Sequence, residues 1–341
     1  VNAQPSRRPV EGRPAPSTVG HAVSAGPATT HRGQGHEPGS RAPRRGDPAG
    51  YALVVGSYVL FSLTPVLIAW VSVPPSLMLV LRYAIAAGIL LVVFGRRRPL
   101  AGVLRPGVWQ RFLVMAALDA SQAFAYFYAV RVLGVAVATF LYFLQPLWVA
   151  LLAPRILHVA TERVVLVAMP VAFIGLGLVL WPSFSGAMSL SAVGVAAALL
   201  AGLGFALFQI TIKRQTREVS SVSMVIVMCL LDGLFLLPLA LWQYVGRAYS
   251  FGAEDVIAVV LIGVFTTALA FTMWVDGVAR VRVQHSAILG LLNAAVAPLF
   301  AFLLLGQGLS VWVVAGGALI LTAGTLVMLR GGGDQQPEPP L

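Results

Sequence analysis

The chain has 341 residues, is 58% hydrophobic and only 10% charged, and has a mean hydropathy of +0.87. Soluble globular domains carry about a quarter charged residues and just under half apolar ones, so this composition argues against an ordinary soluble enzyme or binding module and points to a chain solvated by lipid. The net charge of +11 would suit a nucleic-acid partner, but the placement of the charges assigns it elsewhere, and the single Cys229 leaves no disulfide or thiolate metal site.

Residues 1–50 contain "SRRPVEGRPAPS" and "PGSRAPRRGDPAG", rich in Pro, Gly, Ala and Arg and without an apolar run. Such a segment cannot bury a core and is expected to be a disordered basic leader; it lacks the apolar stretch of a signal peptide. From Tyr51 onward apolar runs follow one another, each long enough to cross a hydrocarbon core of about 30 Å as a helix. They fall at about 51–71, 76–95, 112–130, 134–153, 163–181, 191–212, 222–244, 255–275, 285–305 and 310–329, separated by Pro, Gly and charge as in "SVPPS", "KRQTREVSS" and "GRAYSFGAED". The fold class expected is an all-α integral membrane protein with ten transmembrane helices, followed by a short tail at 330–341. The connections are too short for a soluble domain.

Loop charge sets the expected orientation. With the amino terminus cytoplasmic, and the leader set aside, thirteen basic residues fall on the cytoplasmic side and two, Arg131 and Arg247, on the other. That satisfies the positive-inside rule, places both termini in the cytoplasm of a cell that holds the protein in its inner membrane, and removes the argument for nucleic acid.

"FLQPLWVALL" (143–152) and "AVAPLFAFLL" (295–304) set Pro146 and Pro298 at matching places in the fourth helix of each five-helix half. Five is odd, so a second half of the same kind enters the membrane inverted. Inverted repeats of this sort are common in secondary transporters, whose site lies near the midplane between the repeats. The proline-centred fourth and ninth helices, the arginine of "LMLVLRYAIAAGILL" and the close "LLLGQGLS" with "VWVVAGGALILTAGTLVM" resemble the drug/metabolite transporter superfamily, and within it the ten-helix EamA-like proteins. The resemblance covers residues 51 to 329, as repeats 51–181 and 191–329. It departs where the family places a Glu and this chain has Gln307, with Glu162 standing for that Glu in the first half, and at Phe61-Ser62 in the first helix. It implies a permease for small metabolites or drugs, commonly an exporter, working without a cofactor.

A charge centred in a span costs roughly 2.5–3.5 kcal/mol on insertion scales and tends to line a pathway or to pair. Three qualify: Arg82, Asp119 and Asp232. Gln122 and Tyr126 follow Asp119 at i+3 and i+7 and share its helix face, giving a carboxylate, an amide and a phenol that could bind a solute; the alternative is a hydrogen-bonded packing aspartate. Asp232, at mid-span, suits reversible protonation, or an ion pair with Arg82. Arg82 suits a gate, an anionic substrate group or a structural pair. Tyr142 and Gln145 beside Pro146, and Asn293 near Pro298, mark the two expected helix kinks, where a freed carbonyl must be re-satisfied. Thr266, Thr267, Trp274 and Gln209 are weaker candidates. Ala84 with Gly88, Gly202 with Gly204, and Gly175 with Gly177 read as close helix packing.

No Walker A run, HExxH or plausibly placed Ser-His-Asp set occurs, and no metal ligand set, so neither an enzyme nor a cofactor is expected. The expected function is gradient-driven transport of small metabolites, amino acids or related compounds first, by alternating access, with protons as a candidate coupling ion and the bilayer as partner. The alternatives are efflux of drugs or lipophilic cations, a lipid-intermediate flippase, and, in another class, a non-transporting membrane scaffold or sensor.

Overall fold

The computed structural model describes residues 47–68, 70–72, 74–95, 103, 107–184, 191–244 and 252–332. Nearly all of the leader, the Arg96–Arg98 cluster, Arg105, Arg247 and the tail beyond 332 lie outside them.

Among the described residues ten helices are long and apolar enough to cross a membrane: α1 Pro48–Ile68, α2 Ser76–Phe94, α3 Val108–Leu133, α4 Val135–Leu157, α5 Arg163–Phe184, α6 Ala192–Gln215, α7 Ser221–Tyr244, α8 Ala253–Arg280, α9 Val283–Leu305 and α10 Val311–Arg330. The expected spans agree within a few residues. The first begins earlier than read, because Asp47 caps it by accepting a bond from the Ala49 N–H at 3.0 Å and Pro48 occupies the first turn, where its missing donor costs nothing. Ser191 and Ser310 cap α6 and α10 in the same way.

Ten spans bring the start of α1 and the end of α10 to the same face, here called the terminal face. Bonds between connections respect this alternation: Glu162 after α4 reaches His285 at the start of α9 and Gly332 after α10, all on that face. At the other face Ser72, between α1 and α2, bonds Asp255 at the start of α8. Lipid-facing positions carry large apolar side chains such as Phe124, Leu166 and Leu303. Trp181 and Trp312 meet at a tilt, 6.1 Å between ring centroids, where α5 ends and α10 begins, and aromatic residues are common at a membrane boundary.

The main packings are α5 on α10, α3 on α6, α2 on α7 and α1 on α8. Exchanging each helix for the one five places along maps this set onto itself, so the halves pack as equivalents. At the α5–α10 seam the backbones nearly touch: a Cβ on Gly175 would lie 2.7 Å from the Gly316 carbonyl oxygen. Gly204 does the same for α6 against α3, where a Cβ would lie 2.8 Å from that of Gln122. Ala84 and Gly88, read from sequence as a packing pair, are instead exposed on α2, and a Cβ on Gly88 would meet nothing within 4 Å.

Four spans are interrupted. α1 turns at Ser62–Leu63, α4 at Phe143–Leu144 and α9 at Gly290–Leu291, and α8 widens to a π-helix over Ile262–Leu269. α4 and α9 match closely: an eight- and a seven-residue segment lead to segments of thirteen and fourteen. The prolines do not match. Pro146 is the second residue after the break in α4, whereas Pro298 is the seventh residue of Leu292–Leu305, inside the helix. The expected kink at Pro298 is therefore displaced: the interruption in α9 lies upstream at Gly290. Aligning the breaks rather than the prolines sets Gln145 opposite Leu292, and Pro146 opposite Asn293.

Lys213, the one lysine, is buried near the end of α6 and donates to the carbonyls of Val278, Ala279 and Val281 at 2.8–2.9 Å. It thereby closes the C-terminus of α8, whose last carbonyls lack intrahelical donors. Lys213→Met should lower the melting temperature in detergent by several degrees, as loss of charged hydrogen bonds worth about 1.5–3 kcal/mol each would predict in part; an unchanged melt would show that the carbonyls find other donors.

Candidate functional site

Asp119 is the twelfth residue of α3, Asp232 the twelfth of α7, and Arg82 the thirteenth from the end of α2. All three counts start at the terminal face, and at 1.5 Å per residue each group lies about 17–18 Å in, near the bilayer centre. The three are close enough to act on one another electrostatically. The structure thus gathers at one level charges that lie far apart in the chain, two from the first half and one from the second. Together they would cost on the order of 8–10 kcal/mol on insertion scales.

None is closed into an ion pair among the described residues. The Arg82 guanidinium lies over the Tyr83 ring, 4.8 Å from its centroid, and donates to the Tyr83 hydroxyl at 3.1 Å. Its Nε is buried without a hydrogen-bond partner, and so is Oδ1 of Asp232, which is only 4% exposed. Asp119 accepts from Gln122 Nε2 at 3.0 Å, and Gln122 is pressed there by the close approach of Gly204. Buried polar atoms left unmatched are rare in folded proteins; among the described residues the others belong to Trp148, Gln209, Gln215, Gln284 and Ser286.

Tyr126 does not join the aspartate. Its hydroxyl pairs with Thr139 at 2.8 Å and its ring lies 4.8 Å from that of Tyr142. From Tyr142 an aromatic wall continues through Phe205 to Trp274, Phe208 and Phe271, at centroid spacings of 5.8–6.3 Å. Trp274 donates to the Tyr58 hydroxyl at 2.9 Å and is 2% exposed, so it belongs to this interior wall and not to the membrane boundary.

Gln145 and Asn293 each staple a break to the opposite half. Gln145 Oε1 accepts from Gln209 on α6 at 3.0 Å, and Asn293 Oδ1 accepts from Ser62 Oγ on α1 at 3.1 Å. The hydroxyls of Thr266 and Thr267 both return to the Ile262 carbonyl at 3.0 Å, which satisfies the widened turn of α8. Among the described residues no group of three His, Cys, Asp or Glu side chains is placed to hold a metal ion.

A cluster not singled out from sequence closes the terminal face. Glu162 accepts from His285 Nε2 at 3.0 Å and from the Gly332 N–H, and pairs with Arg282 at 3.2 Å; the other ring nitrogen of His285 bonds the Tyr51 hydroxyl at 2.6 Å. The sequence singled out Glu162 by its likeness to the family's glutamate, and hinted at the rest only as isolated polar residues at the ends of apolar runs. Burial pushes the Glu162 carboxyl up, but the bonds from His285 and Gly332 and the charges of His285 and Arg282 outweigh it and hold the group below the usual carboxylate range. A depressed folded-state value stabilises the fold above the unfolded carboxylate range and loses that stabilisation as pH falls through the folded value. Melting curves should therefore show wild type above Glu162→Gln at pH 7, with the two converging below about pH 4, under the ordinary glutamate range. Parallel curves across that window would assign the cluster no titrating role.

The EamA-like transporter family model matches residues 48–181 and 192–329. An uncharacterized transporter of Archaeoglobus fulgidus is 28% identical over 206 residues, covering 60% of this chain and 71% of that protein. A crystal structure of a protein 19% identical in sequence superposes with a TM-score of 0.70, over 82% of this chain and 96% of the other, and supports the fold alone.

Proposed function

The chain belongs to the EamA-like transporter family, and from that premise we propose that it is a secondary-active permease that moves small metabolites by alternating access between two inverted five-helix halves. One observation carries this reading: Arg82, Asp119 and Asp232 share a mid-membrane level on helices of both halves, and two of the three keep buried polar atoms without partners. A solute bearing both an amine and a carboxylate would satisfy both signs at once, its amine on Asp119 or Asp232 and its carboxylate on Arg82. Amino acids and their derivatives are therefore the substrates proposed first, moved outward, with the terminal face cytoplasmic as the loop arginines favour. Asp232 is the proposed proton carrier, because neutralising it on protonation removes the cost of a centred charge.

The aromatic wall from Tyr142 to Trp274 favours a second reading, a lipophilic cation, since ring faces attract cations and the central group holds two carboxylates against one guanidinium. Metabolite profiles of medium and cytosol from cells expressing wild type, Asp119→Asn or empty vector, at equal membrane levels, separate these readings by naming the compound. Asp119→Asn should cut its efflux at least about tenfold, the worth of one charged contact. In proteoliposomes Asp232→Asn should abolish proton-driven accumulation while sparing exchange of internal for external substrate. Equal efflux from wild type and empty vector, for every compound tested, would remove the transport reading in favour of a scaffold or sensor.

A further inference from the structure

Of the polar ties that join the halves at the two faces of the membrane, two on opposite faces are related by the exchange of helices five places apart. At the terminal face Arg111, at the start of α3, grips Glu218 in the α6–α7 connection through Nη1, at 2.8 Å to one carboxylate oxygen and 2.9 Å to the other. At the opposite face Asp255, at the start of α8, accepts from Ser72 in the α1–α2 connection: the backbone N–H at 2.6 Å and the hydroxyl at 2.9 Å to each oxygen. Moving five helices along turns α3 into α8 and the α6–α7 connection into the α1–α2 connection. The contact is the same in the fold although its chemistry is not: an ion pair on one face, a hydroxyl and an amide on a carboxylate on the other.

Resting on the transport reading, we infer that these ties are the two gates, broken alternately as the halves rock. Each joins a residue of one half to a residue of the other, and each lies at the ends of the spans, on one side or the other of the central charged level. Their strengths suit the task. Both partners of the Arg111–Glu218 pair keep 46% of their side-chain surface exposed, and exposed pairs are weak enough to open repeatedly. Ser72 meets a carboxylate already held in place by the Gly252 N–H at 2.9 Å, so the tie can part without unwinding α8. The Glu162 cluster also crosses between the halves at the terminal face, but it differs in kind: it is anchored on α5 and α10, which meet along the Gly175–Gly316 seam, and its His285 and Arg282 partners are buried rather than exposed.

Spin-label distance measurements on the full chain, in a Cys229→Ala background, test this without knowledge of the substrate. One label pair, at exposed Gln110 and Arg217, reports the terminal face, and another, at exposed Trp70 and Glu254, reports the other. Glu218→Ala should raise the open-to-closed ratio of the first pair by about two- to fivefold, as loss of an exposed ion pair allows. The open component should be longer by about 5 Å, the scale of a one-turn slip. The second pair should show no such gain. Ser72→Ala, which removes the hydroxyl but leaves the Gly252 cap and the Ser72 N–H on Asp255, should act on the second pair alone, and by less than Glu218→Ala acts on the first. Exchange of the charges in Arg111→Glu with Glu218→Arg should return the first pair to its wild-type distribution, which a misfolded chain would not do. Distributions unmoved by either variant, in a protein that carries substrate in the efflux assay, overturn the gates and leave the transport reading standing. Shifts in the expected pairs, in a protein that carries nothing, uphold the ties as conformational locks and overturn the transport reading instead.

Discussion

Lipid offers no hydrogen bonds, so every backbone N–H and C=O within the bilayer must find a partner inside the protein. The rest of this structure follows from that constraint. It makes each apolar run a helix, and it allows interruptions only where neighbouring groups take over the freed carbonyls and donors. The breaks in α4 and α9 lie against the opposite half and are stapled there by Gln145–Gln209 and Ser62–Asn293. The widened turn of α8 is satisfied by Thr266 and Thr267, and the end of α8 by Lys213. The same demand that forbids irregular backbone towards lipid concentrates it, with the polar side chains that tend it, along the seam between the halves.

That seam is also where charge is tolerable. Arg82, Asp119 and Asp232 would be expelled from a single isolated span, yet the packing of α2 on α7 and of α3 against α6 and α7 sets them at one level, within reach of one another. This arrangement of opposite charges, not closed into an ion pair among the described residues, underlies the solute binding proposed above. The glycine seam of α5 with α10 brings these two backbones too close for any side chain between them.

Much of this was legible before any packing was known. Ten spans, their alternation and the three isolated charges are properties of short windows, because one hydrophobic run answers to the bilayer alone. The stripe carrying Asp119 and Gln122 was legible too, since helical period fixes which residues share a face, and the two do bond. Tyr126 shows the reach of that reasoning: it lies on the same stripe, yet a stronger local partner, Thr139 on α4, draws its hydroxyl away. The repeat was visible through Pro146 and Pro298, but in the wrong register, because a proline is tolerated in the first turn of a helix and also inside one that neighbours support.

The sequence by itself determined the class of solvent, the number of crossings and the cost of each buried charge, since these depend on composition over some twenty residues and on a rise of about 1.5 Å per residue. Only the tertiary structure decided which charges meet, where the fourth and ninth helices break, and that Glu162, His285, Arg282 and Tyr51 form one cluster across 234 residues of chain. Those outcomes depend on which helix faces which, and in a lipid-solvated bundle hydrophobicity does not choose among apolar faces. Close approach at glycines and the matching of buried donors with acceptors choose instead, and both are relations between segments that no single segment contains.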